Sequence, residues 1–252
     1  MRLAFSKPTS TADEQQLLFS NFRPVGYDGL QLKLGQYRDY IDQPQRFVEE
    51  WGHIPGIASA LIFGAGLDQG GIASLRKLFA FAGAVGTDLI VFCHALSRQG
   101  LSHDDIRGFA RTLSELGKEA QQHGTKLSLH HHYDQPVMHR PDFDVFFDAV
   151  DDQSVGLTVD TAHLVKSGIT DVAGVIRDFG HVIDNFHLKD FADGDWRVLG
   201  QGDIDFGPIF AAIRDINYDG WLSADEESGS ELLDAMHACH RYITSALSLQ
   251  TS

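Results

Sequence analysis

The fold is decided by residues 155–190, which read VGLTVDTAHLVKSGITDVAGVIRDFGHVIDNFHLKD. Two apolar runs, 155–159 and 182–188, have the length and composition of buried β-strands. Between them, residues 171–179 place apolar side chains at helical spacing, which predicts a crossover helix. A unit of strand, crossover helix and strand makes the two strands parallel, so their carboxyl ends lie at the same edge of the sheet.

The same alternation of strand and helix extends through the rest of the chain. The predicted strands are residues 3–5, 30–34, 57–63, 88–92, 126–132, 155–160, 182–188 and 220–224. The predicted helices are residues 11–22, 45–51, 71–84, 143–150, 171–179, 206–216 and 231–247, with a long one between Ser102 and Gly124. Eight strands that each precede a helix are the number in a closed parallel barrel. We therefore predict an α/β fold, a single (β/α)8 TIM barrel domain over residues 1–252, rather than an open doubly wound sheet.

The composition limits the classes of partner. The chain has 252 residues, 43% of them hydrophobic, and a formal net charge of −15. An acidic chain of this kind lacks the basic face that nucleic-acid binding requires, so we expect no nucleic-acid partner. Cys93 and Cys239 are far apart in sequence, which argues against a disulfide framework or a thiolate metal site. The sequence shows neither a signal peptide nor a membrane span, so we expect a cytoplasmic protein with no membrane partner.

Polar and ionisable side chains stand where the predicted strands end. Because the carboxyl ends of the strands form the active face of a parallel barrel, each such residue is a candidate for the site. The candidates are Gln31, His94, His130, His132, Gln135, Asp160, His163, His187, Asp225 and Glu227. Their side chains offer the oxygen and nitrogen ligands of a divalent metal. Asp160 and His187 are the first predicted ligands, because a buried strand that ends in a polar group needs a partner to offset desolvation.

Several of these residues have alternative interpretations. Asp160 could cap the helix that follows it, and His187 could be a core histidine that pairs with a carbonyl group. His163 lies one helical turn from Asp160 and could be a ligand, a neighbour of the ligands or a substrate contact. Lys189 either holds an anionic or hydroxyl-rich ligand or forms a surface ion pair.

Strand periodicity orders the histidines at the end of the fifth strand. His130 and His132 are expected to point to one side and His131 to the other, because side chains alternate along a strand. A functional role is expected for this pair, either as a ligand or as a general base. In the acidic run 225–227, one carboxylate should reach the centre of the barrel.

A G-x-G pattern, Gly200-Gln201-Gly202, follows the seventh predicted strand. Barrels often bind phosphate at this position. The pattern alone is a weak indication, and a plain loop turn is the alternative.

Four ordered motifs together resemble one family. They are Asp160-x-x-His163, Phe186-His187-Leu188-Lys189-Asp190, Gly200-Gln201-Gly202-Asp203-Ile204-Asp205, and Tyr218-Asp219-Gly220-Trp221-Leu222 before an acidic cluster. The combination resembles the xylose-isomerase-like barrel superfamily of sugar isomerases and epimerases, which also includes inosose dehydratases and the endonuclease IV type of repair enzyme. The likeness covers nearly the whole chain. It implies a divalent cation held by a carboxylate of the fifth strand, Asp160, His187 and a carboxylate of the eighth strand, which falls on Asp225.

The fifth strand departs from the pattern of that family. His130 stands where the epimerases typically have a glutamate, and in a subgroup with a His-x-His motif the acid comes later, near Gln135. The pair of glutamates that such epimerases use as opposing bases is therefore incomplete. The His130-x-His132 form is more like the inosose dehydratase branch. The endonuclease alternative is disfavoured, because it needs three metals and a basic face for DNA.

We therefore predict a divalent-metal-dependent isomerase or epimerase that acts on a keto sugar or polyol by proton transfer next to a carbonyl. The alternatives are a metal-dependent lyase or dehydratase of the inosose dehydratase type and a degenerate barrel that only binds sugar. The predicted metal ligands are Asp160, His187, Asp225 and either His130 or Gln135; the acid–base candidates are His130, His132 and Glu227; the substrate contacts are His94, His163 and Lys189. Manganese or magnesium is the expected metal, with zinc, cobalt and iron left open. The expected partner is a small sugar or polyol, and a homo-oligomer is left open.

Overall fold

A closed barrel of eight parallel strands forms the centre of the computed structural model, which describes residues 1–248. The strands of the barrel and of a separate hairpin are, in chain order, Arg2–Ser6 (β1), Gly29–Leu32 (β2), Ala60–Ala65 (β3), Leu89–His94 (β4), Lys126–His130 (β5), Val155–Asp160 (β6), Ile183–Leu188 (β7), Asp190–Ala192 (β8), Asp195–Arg197 (β9) and Trp221–Asp225 (β10). The barrel order is β1-β10-β7-β6-β5-β4-β3-β2, while β8 and β9 form a separate antiparallel hairpin. The predicted (β/α)8 TIM barrel is thus confirmed; residues 249–252 of the predicted domain lie outside the described residues.

Helices follow the barrel strands and pack their apolar faces against them. They are Ala12–Val25 (α1), Leu34–Tyr37 (α2), Pro44–Trp51 (α3), Gln69–Val85 (α4), His103–Gln122 (α5), Arg140–Phe147 (α6), Thr161–Lys166 (α7), Val172–Phe179 (α8), Phe206–Asp215 (α9) and Leu232–Ser248 (α10). The Ser102 hydroxyl caps the start of α5, because it accepts the backbone N–H of Asp105 at 3.2 Å. No helix within residues 1–248 has the length and apolar character needed to cross a membrane.

Two strand ends near the site differ from the prediction by two residues. β2 ends before the predicted position 34, because the backbone N–H of Lys33 donates to Oε1 of Gln36 at 2.9 Å and begins α2. β5 ends before the predicted position 132, because the carbonyl of His132 accepts the backbone N–H of Gln135 at 3.0 Å and turns the chain. Both changes place the residues that follow the strands in loops at the carboxyl face.

Two further elements are shifted along the chain. β3 starts and ends later than predicted, because the backbone N–H of Ile57 donates to the carbonyl of Ile54 at 3.2 Å in a turn that delays the strand. α6 starts earlier than predicted, because the Asp142 carboxylate accepts the backbone N–H of His139 at 2.9 Å. In both cases a local hydrogen bond outweighs the apolar pattern.

A polar layer lies inside the barrel, below the strand ends. The hydroxyl groups of Ser128 and Thr158 are 2.7 Å apart. Gln31 donates from Nε2 to Oδ1 of Asn185 at 2.7 Å, and Asn185 donates from Nδ2 to Oε1 of Gln31 at 3.1 Å. All four side chains are buried. This layer supports the site above it, since the two amide groups fix each other's orientation.

Asp184 is a partly buried carboxylate near the opposite end of β7. It is left unpaired where the register of β6 and β7 shifts, and its Oδ1 accepts the hydroxyl of Ser128 at 2.5 Å. Burial raises the pKa of Asp184 to about 6. The folded protein therefore binds this proton more tightly than an unfolded chain, where an aspartate has a pKa of about 3.9.

Asp184→Asn is expected to stabilise the protein at alkaline pH. Stability from this carboxyl group is fully present below about pH 4 and is lost as the pH rises through about 6, whereas asparagine stays neutral throughout. The free energy of unfolding of the variant should exceed that of the parent by roughly 1 to 2 kcal/mol at pH 8 and by much less at pH 4.5. Urea unfolding at both pH values measures the difference, with the exposed Asp219→Asn as control. Equal stability of parent and variant at pH 8 would contradict the prediction.

Candidate metal centre

Three side chains with metal-ligand atoms converge at the carboxyl ends of neighbouring strands. His130 ends β5, Asp160 ends β6 and His187 precedes the last residue of β7. Asp160 and His187 are direct partners in the register of β6 and β7. One ligand atom from each residue lies within 4.8 Å of the other two, and all three residues are buried. The structure thus brings together two of the predicted ligands and one of the two candidates for the fourth.

Asp160 caps a helix with one carboxylate oxygen and directs the other toward His130 and Lys189. Its Oδ1 accepts the backbone N–H groups of Ala162 and His163 at 3.0 and 2.9 Å, which caps α7. Its Oδ2 lies 3.4 Å from Nε2 of His130 and 3.8 Å from Nζ of Lys189. Burial disfavours its charge, but the neighbouring imidazoles and the Lys189 ammonium hold the pKa of Asp160 well below its usual value. The carboxylate is therefore ionised and keeps one oxygen free of the helix cap.

A hydrogen bond to Gln31, inside the barrel, determines which ring nitrogen of His187 carries the proton. Its Nε2 lies 2.8 Å from Oε1 of Gln31, whose amide is oriented by Asn185. Nε2–H therefore donates, and Nδ1 carries the lone pair of the neutral ring. Within residues 1–248 that Nδ1 has no hydrogen-bond partner, and it lies 3.7 Å from Oδ2 of Asp225. Because burial lowers the pKa of His187 to about 3, a nitrogen lone pair faces a carboxylate.

These contacts fit a divalent cation. A lone pair and a carboxylate oxygen that face each other repel unless a positive group serves both. The buried Nδ1 of His130 likewise finds no hydrogen-bond partner in the described part of the chain. Together, two imidazoles and the carboxylates of Asp160 and Asp225 form the mixed nitrogen and oxygen donor set that divalent transition metals accept.

Two lysines neutralise the carboxylates around this centre. Lys189, only 2% exposed, places Nζ 2.7 Å from Oδ2 of Asp225 and 2.8 Å from Oε2 of Glu227. Lys33 places Nζ 2.7 Å from Oδ1 of Asp225 and 2.8 Å from Oε1 of Glu227. Lys189 is therefore in the site and not in a surface ion pair. The sequence analysis missed Lys33, although it follows Gln31 by two residues in an alternating strand and so shares its side.

Two further imidazoles lie in contact beside the three converging side chains. The ring centroids of His132 and His163 are 3.7 Å apart. Nδ1 of His132 lies 2.7 Å from the backbone carbonyl of Tyr133, so Nδ1–H donates and Nε2 carries the lone pair. His163 has the opposite arrangement, because its Nδ1 accepts the backbone N–H of Tyr133 at 3.3 Å and Nε2 carries the proton. Burial lowers the pKa of His132 to about 4 and also lowers that of His163, so both rings are neutral.

The hairpin of β8 and β9 places Trp196 against this site. The Trp196 ring lies 4.8 Å from the ring of His163 and 5.1 Å from Nζ of Lys189. The sequence analysis did not predict this hairpin. An indication of the hairpin was present, because Asp193-Gly194 is the pair preferred in two-residue hairpin turns, and both residues have positive φ, 53° and 83°.

The three consecutive histidines alternate as predicted. The ring of His130 lies 5.0 Å from that of His187, inside the site. His131 points outward, where its ring lies 5.1 Å from that of Phe143 and its Nε2 accepts the backbone N–H of Asp160 at 2.9 Å. His131 therefore fixes the end of β6, and its ring lies outside the cavity that His130 faces.

Two further predicted site residues lie at or just after the ends of β4 and β5. His94 ends β4, is 2% exposed and packs between the rings of Phe92 and Phe109 at 5.0 and 5.2 Å. Burial lowers the pKa of His94 to about 4. Gln135 lies in the turn after β5, and its buried Oε1 accepts no hydrogen bond from residues 1–248. The substrate role of His94 and the ligand role of Gln135 stay predictions.

Asp190 organises the loop that contains the G-x-G pattern. Its Oδ2 accepts the backbone N–H groups of Gly200 and Gly202, both at 2.9 Å. Its Oδ1 accepts those of Phe191 and Ile204 at 2.9 and 3.3 Å. Because a carboxylate of the protein already uses these amide groups, the segment is a loop turn and not a phosphate cradle.

Comparison with known proteins agrees with this fold. A family model described as the xylose isomerase-like TIM barrel matches residues 21–242. Among curated proteins, the inosose dehydratase of Clostridium perfringens is 32% identical over 146 residues, which are 50% of this chain and 49% of that protein. This chain therefore spans about half the length of the curated relatives that it matches.

Solved structures of low sequence identity share the whole barrel. The structure of an L-ribulose 3-epimerase superposes with a TM-score of 0.83 at 19% identity, over 98% of this chain and 95% of that one. An IolI protein with a bound zinc atom gives a TM-score of 0.81 at 19% identity, over 99% of both chains. These similarities establish the fold alone. The match over residues 21–242 confirms the resemblance of the sequence motifs, and the chain belongs to the xylose isomerase-like TIM barrel family.

Proposed function

We propose that this protein is a divalent-metal-dependent enzyme that removes the proton next to the carbonyl of a keto sugar or keto polyol and expels a β-hydroxyl group as water. The observation that carries the metal dependence is the Nδ1 lone pair of His187, which faces Oδ2 of Asp225 at 3.7 Å. His130 and Asp160 complete the proposed ligand set. Manganese is the metal to test first, because carboxylate donors suit it; zinc, which imidazole donors suit, is the metal to test next. The name inosose dehydratase among the sequence relatives supports a lyase.

Residues around the proposed ligands can take part in the proton transfers of the reaction. A bound dication would polarise the carbonyl of the substrate and acidify the neighbouring C–H bond. His132 takes that proton at Nε2, which carries a lone pair because Nδ1 donates to the Tyr133 carbonyl. His132 then gives this proton to the departing hydroxyl group, which leaves as water; His163 donates a hydrogen bond to that group from Nε2, and Lys189 stabilises the enolate oxygen.

Elimination suits this geometry better than epimerisation. The proposed base His132 and its neighbour His163 lie on one side of the site, with ring centroids 3.7 Å apart. A base that takes the proton and returns it to the leaving group acts from one face, whereas two-base epimerisation needs bases on opposite faces of the substrate. An isomerase or epimerase is the second candidate, favoured by Glu227, a second acid–base group that lies 2.8 Å from each lysine.

The reaction can be tested with the manganese-loaded protein and a panel of keto hexoses and inososes in deuterium oxide. A lyase should release water and give an unsaturated or dicarbonyl product with a new ultraviolet absorbance. An epimerase should incorporate deuterium and give a stereoisomer without loss of water. Sugar binding without either change, in protein that contains its metal, would refute both activities and leave a barrel that only binds sugar.

His132→Gln is expected to lower the rate of substrate deprotonation by about 100-fold or more, because glutamine has the size to fill the site but no basic lone pair of comparable strength. Metal content should be unchanged. Rates of solvent deuterium incorporation measure the effect, and the exposed His53→Gln serves as control. A His132→Gln rate equal to that of the parent would remove His132 from the proposed reaction.

A further inference from the structure

The proposed reaction assigns no role to the positively charged side chain of Lys33. It enters the site from the loop after β2 and pairs with Asp225 and Glu227 at 2.7 and 2.8 Å. The side chains of Lys33 and Glu227 are 17% and 30% exposed, whereas those of Lys189 and Asp225 are both 2% exposed. Lys33 therefore lies on the solvent side of the carboxylates, where a substrate enters.

A bound dication would leave the site with a net positive charge. Three carboxylates, Asp160, Asp225 and Glu227, face the two ammonium groups of Lys33 and Lys189. The imidazole ligands are neutral when they bind a metal. A dication therefore turns the net charge of the group to one positive charge, which is costly in a buried site unless an anion joins it.

Neighbouring charges do not supply that anion. Asp190 directs both carboxylate oxygens to backbone N–H groups. Lys7 and Glu226 form a neutral pair with N and O atoms 3.3 Å apart. Once Asp225 serves a dication, Lys33 and Lys189 share a single carboxylate, that of Glu227. Two ammonium groups with one shared carboxylate leave hydrogen-bond donors and charge for a second one.

We infer that the substrate of the proposed reaction carries a carboxylate group and that Lys33 binds it, so that the substrate class is a keto sugar acid or keto polyol acid. The inference rests on the proposed function, because the positive charge appears only with the metal. A single carboxylate balances the site, whereas a phosphate dianion would overcharge it. The Gly200 and Gly202 amide groups that could serve a phosphate are also already bound by Asp190.

Binding of matched pairs of sugars tests the inference. 2-Keto-D-gluconate and D-fructose have the same carbon skeleton and differ in a carboxylate against a hydroxymethyl group; D-glucuronate and D-glucose form a second pair. Calorimetry with manganese-loaded protein should give at least about tenfold tighter binding of the acid in one or both pairs. D-Fructose 6-phosphate should bind no tighter than 2-keto-D-gluconate.

Substitution of Lys33 tests whether this residue causes the preference for the acid over the neutral sugar. Lys33→Met should reduce the preference for the acid to about twofold or less, with metal content unchanged, and Lys33→Arg should keep most of it. Lys166→Met is the matched control, because Lys166 lies 4.4 Å over the Trp196 ring and also carries a positive charge near the site. Calorimetry and elemental analysis of all three variants give a readout that does not depend on turnover.

The outcomes separate this inference from the proposed function. Failure of the parent to take up a divalent metal would overturn both. Metal uptake with equal binding of acid and neutral sugar, with no binding of any acid, or with tighter binding of the phosphate would overturn the carboxylate substrate alone. A preference that survives in Lys33→Met would overturn the role of Lys33.

Discussion

Asp160→Asn is expected to bind manganese about 100-fold or more weakly than the parent protein. The asparagine keeps a neutral oxygen for the backbone N–H groups of Ala162 and His163, and asparagine caps helices as well as aspartate does. The fold should therefore persist. What the substitution removes is the negative charge that offsets desolvation of a dication next to His130. Calorimetric titration with manganese and elemental analysis after desalting measure the loss.

A matched control separates the metal site from the helix cap. Asp171 also caps a helix, since its Oδ1 accepts the backbone N–H of Gly174 at 2.8 Å at the start of α8. Asp171→Asn should therefore bind manganese as the parent does. His187→Ala should lose the metal as Asp160→Asn does, while the exposed His53→Ala should not. If Asp160→Asn binds manganese with parental affinity, the proposed ligand set is wrong.

Asp190→Ala is expected to lower the free energy of unfolding by about 3 kcal/mol. The carboxylate is 1% exposed and accepts four backbone N–H groups, three of them at 2.9 Å. Alanine leaves these donors without their acceptor around a buried side-chain position, and hydrogen bonds to a charged acceptor are the stronger kind. Urea unfolding measures the loss.

Two substitutions bracket the effect of Asp190. Asp190→Asn keeps one acceptor oxygen, so its loss of stability should lie between those of the parent and the alanine variant. Asp219→Ala removes an exposed aspartate from the loop before β10 and should change stability by no more than about 0.5 kcal/mol. A loss below about 1 kcal/mol in Asp190→Ala would show that water can replace the carboxylate in this loop.

The barrel could be predicted because the same pattern of apolar strand and helix repeats along the chain. Each strand is an apolar run, and the helices between them carry apolar residues at their own spacing, so an error of a few residues in one element leaves the count of eight unchanged. The boundaries of β2, β5 and α6 could not be predicted from that pattern. Each is set by a single side-chain or turn hydrogen bond, such as that of Asp142 with the His139 N–H, which competes with apolar periodicity.

The site was predicted in part for a related reason. Asp160 and His187 are polar residues at the ends of apolar strands, and such residues are conspicuous in a sequence. Lys33 was not conspicuous, because a lysine in a predicted alternating strand usually lies on a solvated face. Only the closed barrel brings Lys33 to Asp225. Trp196 was missed because β8 and β9 have three residues each, too few for alternation to appear.

The amide pair of Gln31 and Asn185 also has a consequence for the order of folding. These residues are 154 positions apart in sequence, and contacts of this range form late because the loop between them must first be closed. A fragment or intermediate that contains β5 to β7 would bring His130 and Asp160 together while the ring of His187 was still free to turn. The orientation of that ring is therefore fixed only when β2 and β7 come together in the closed barrel.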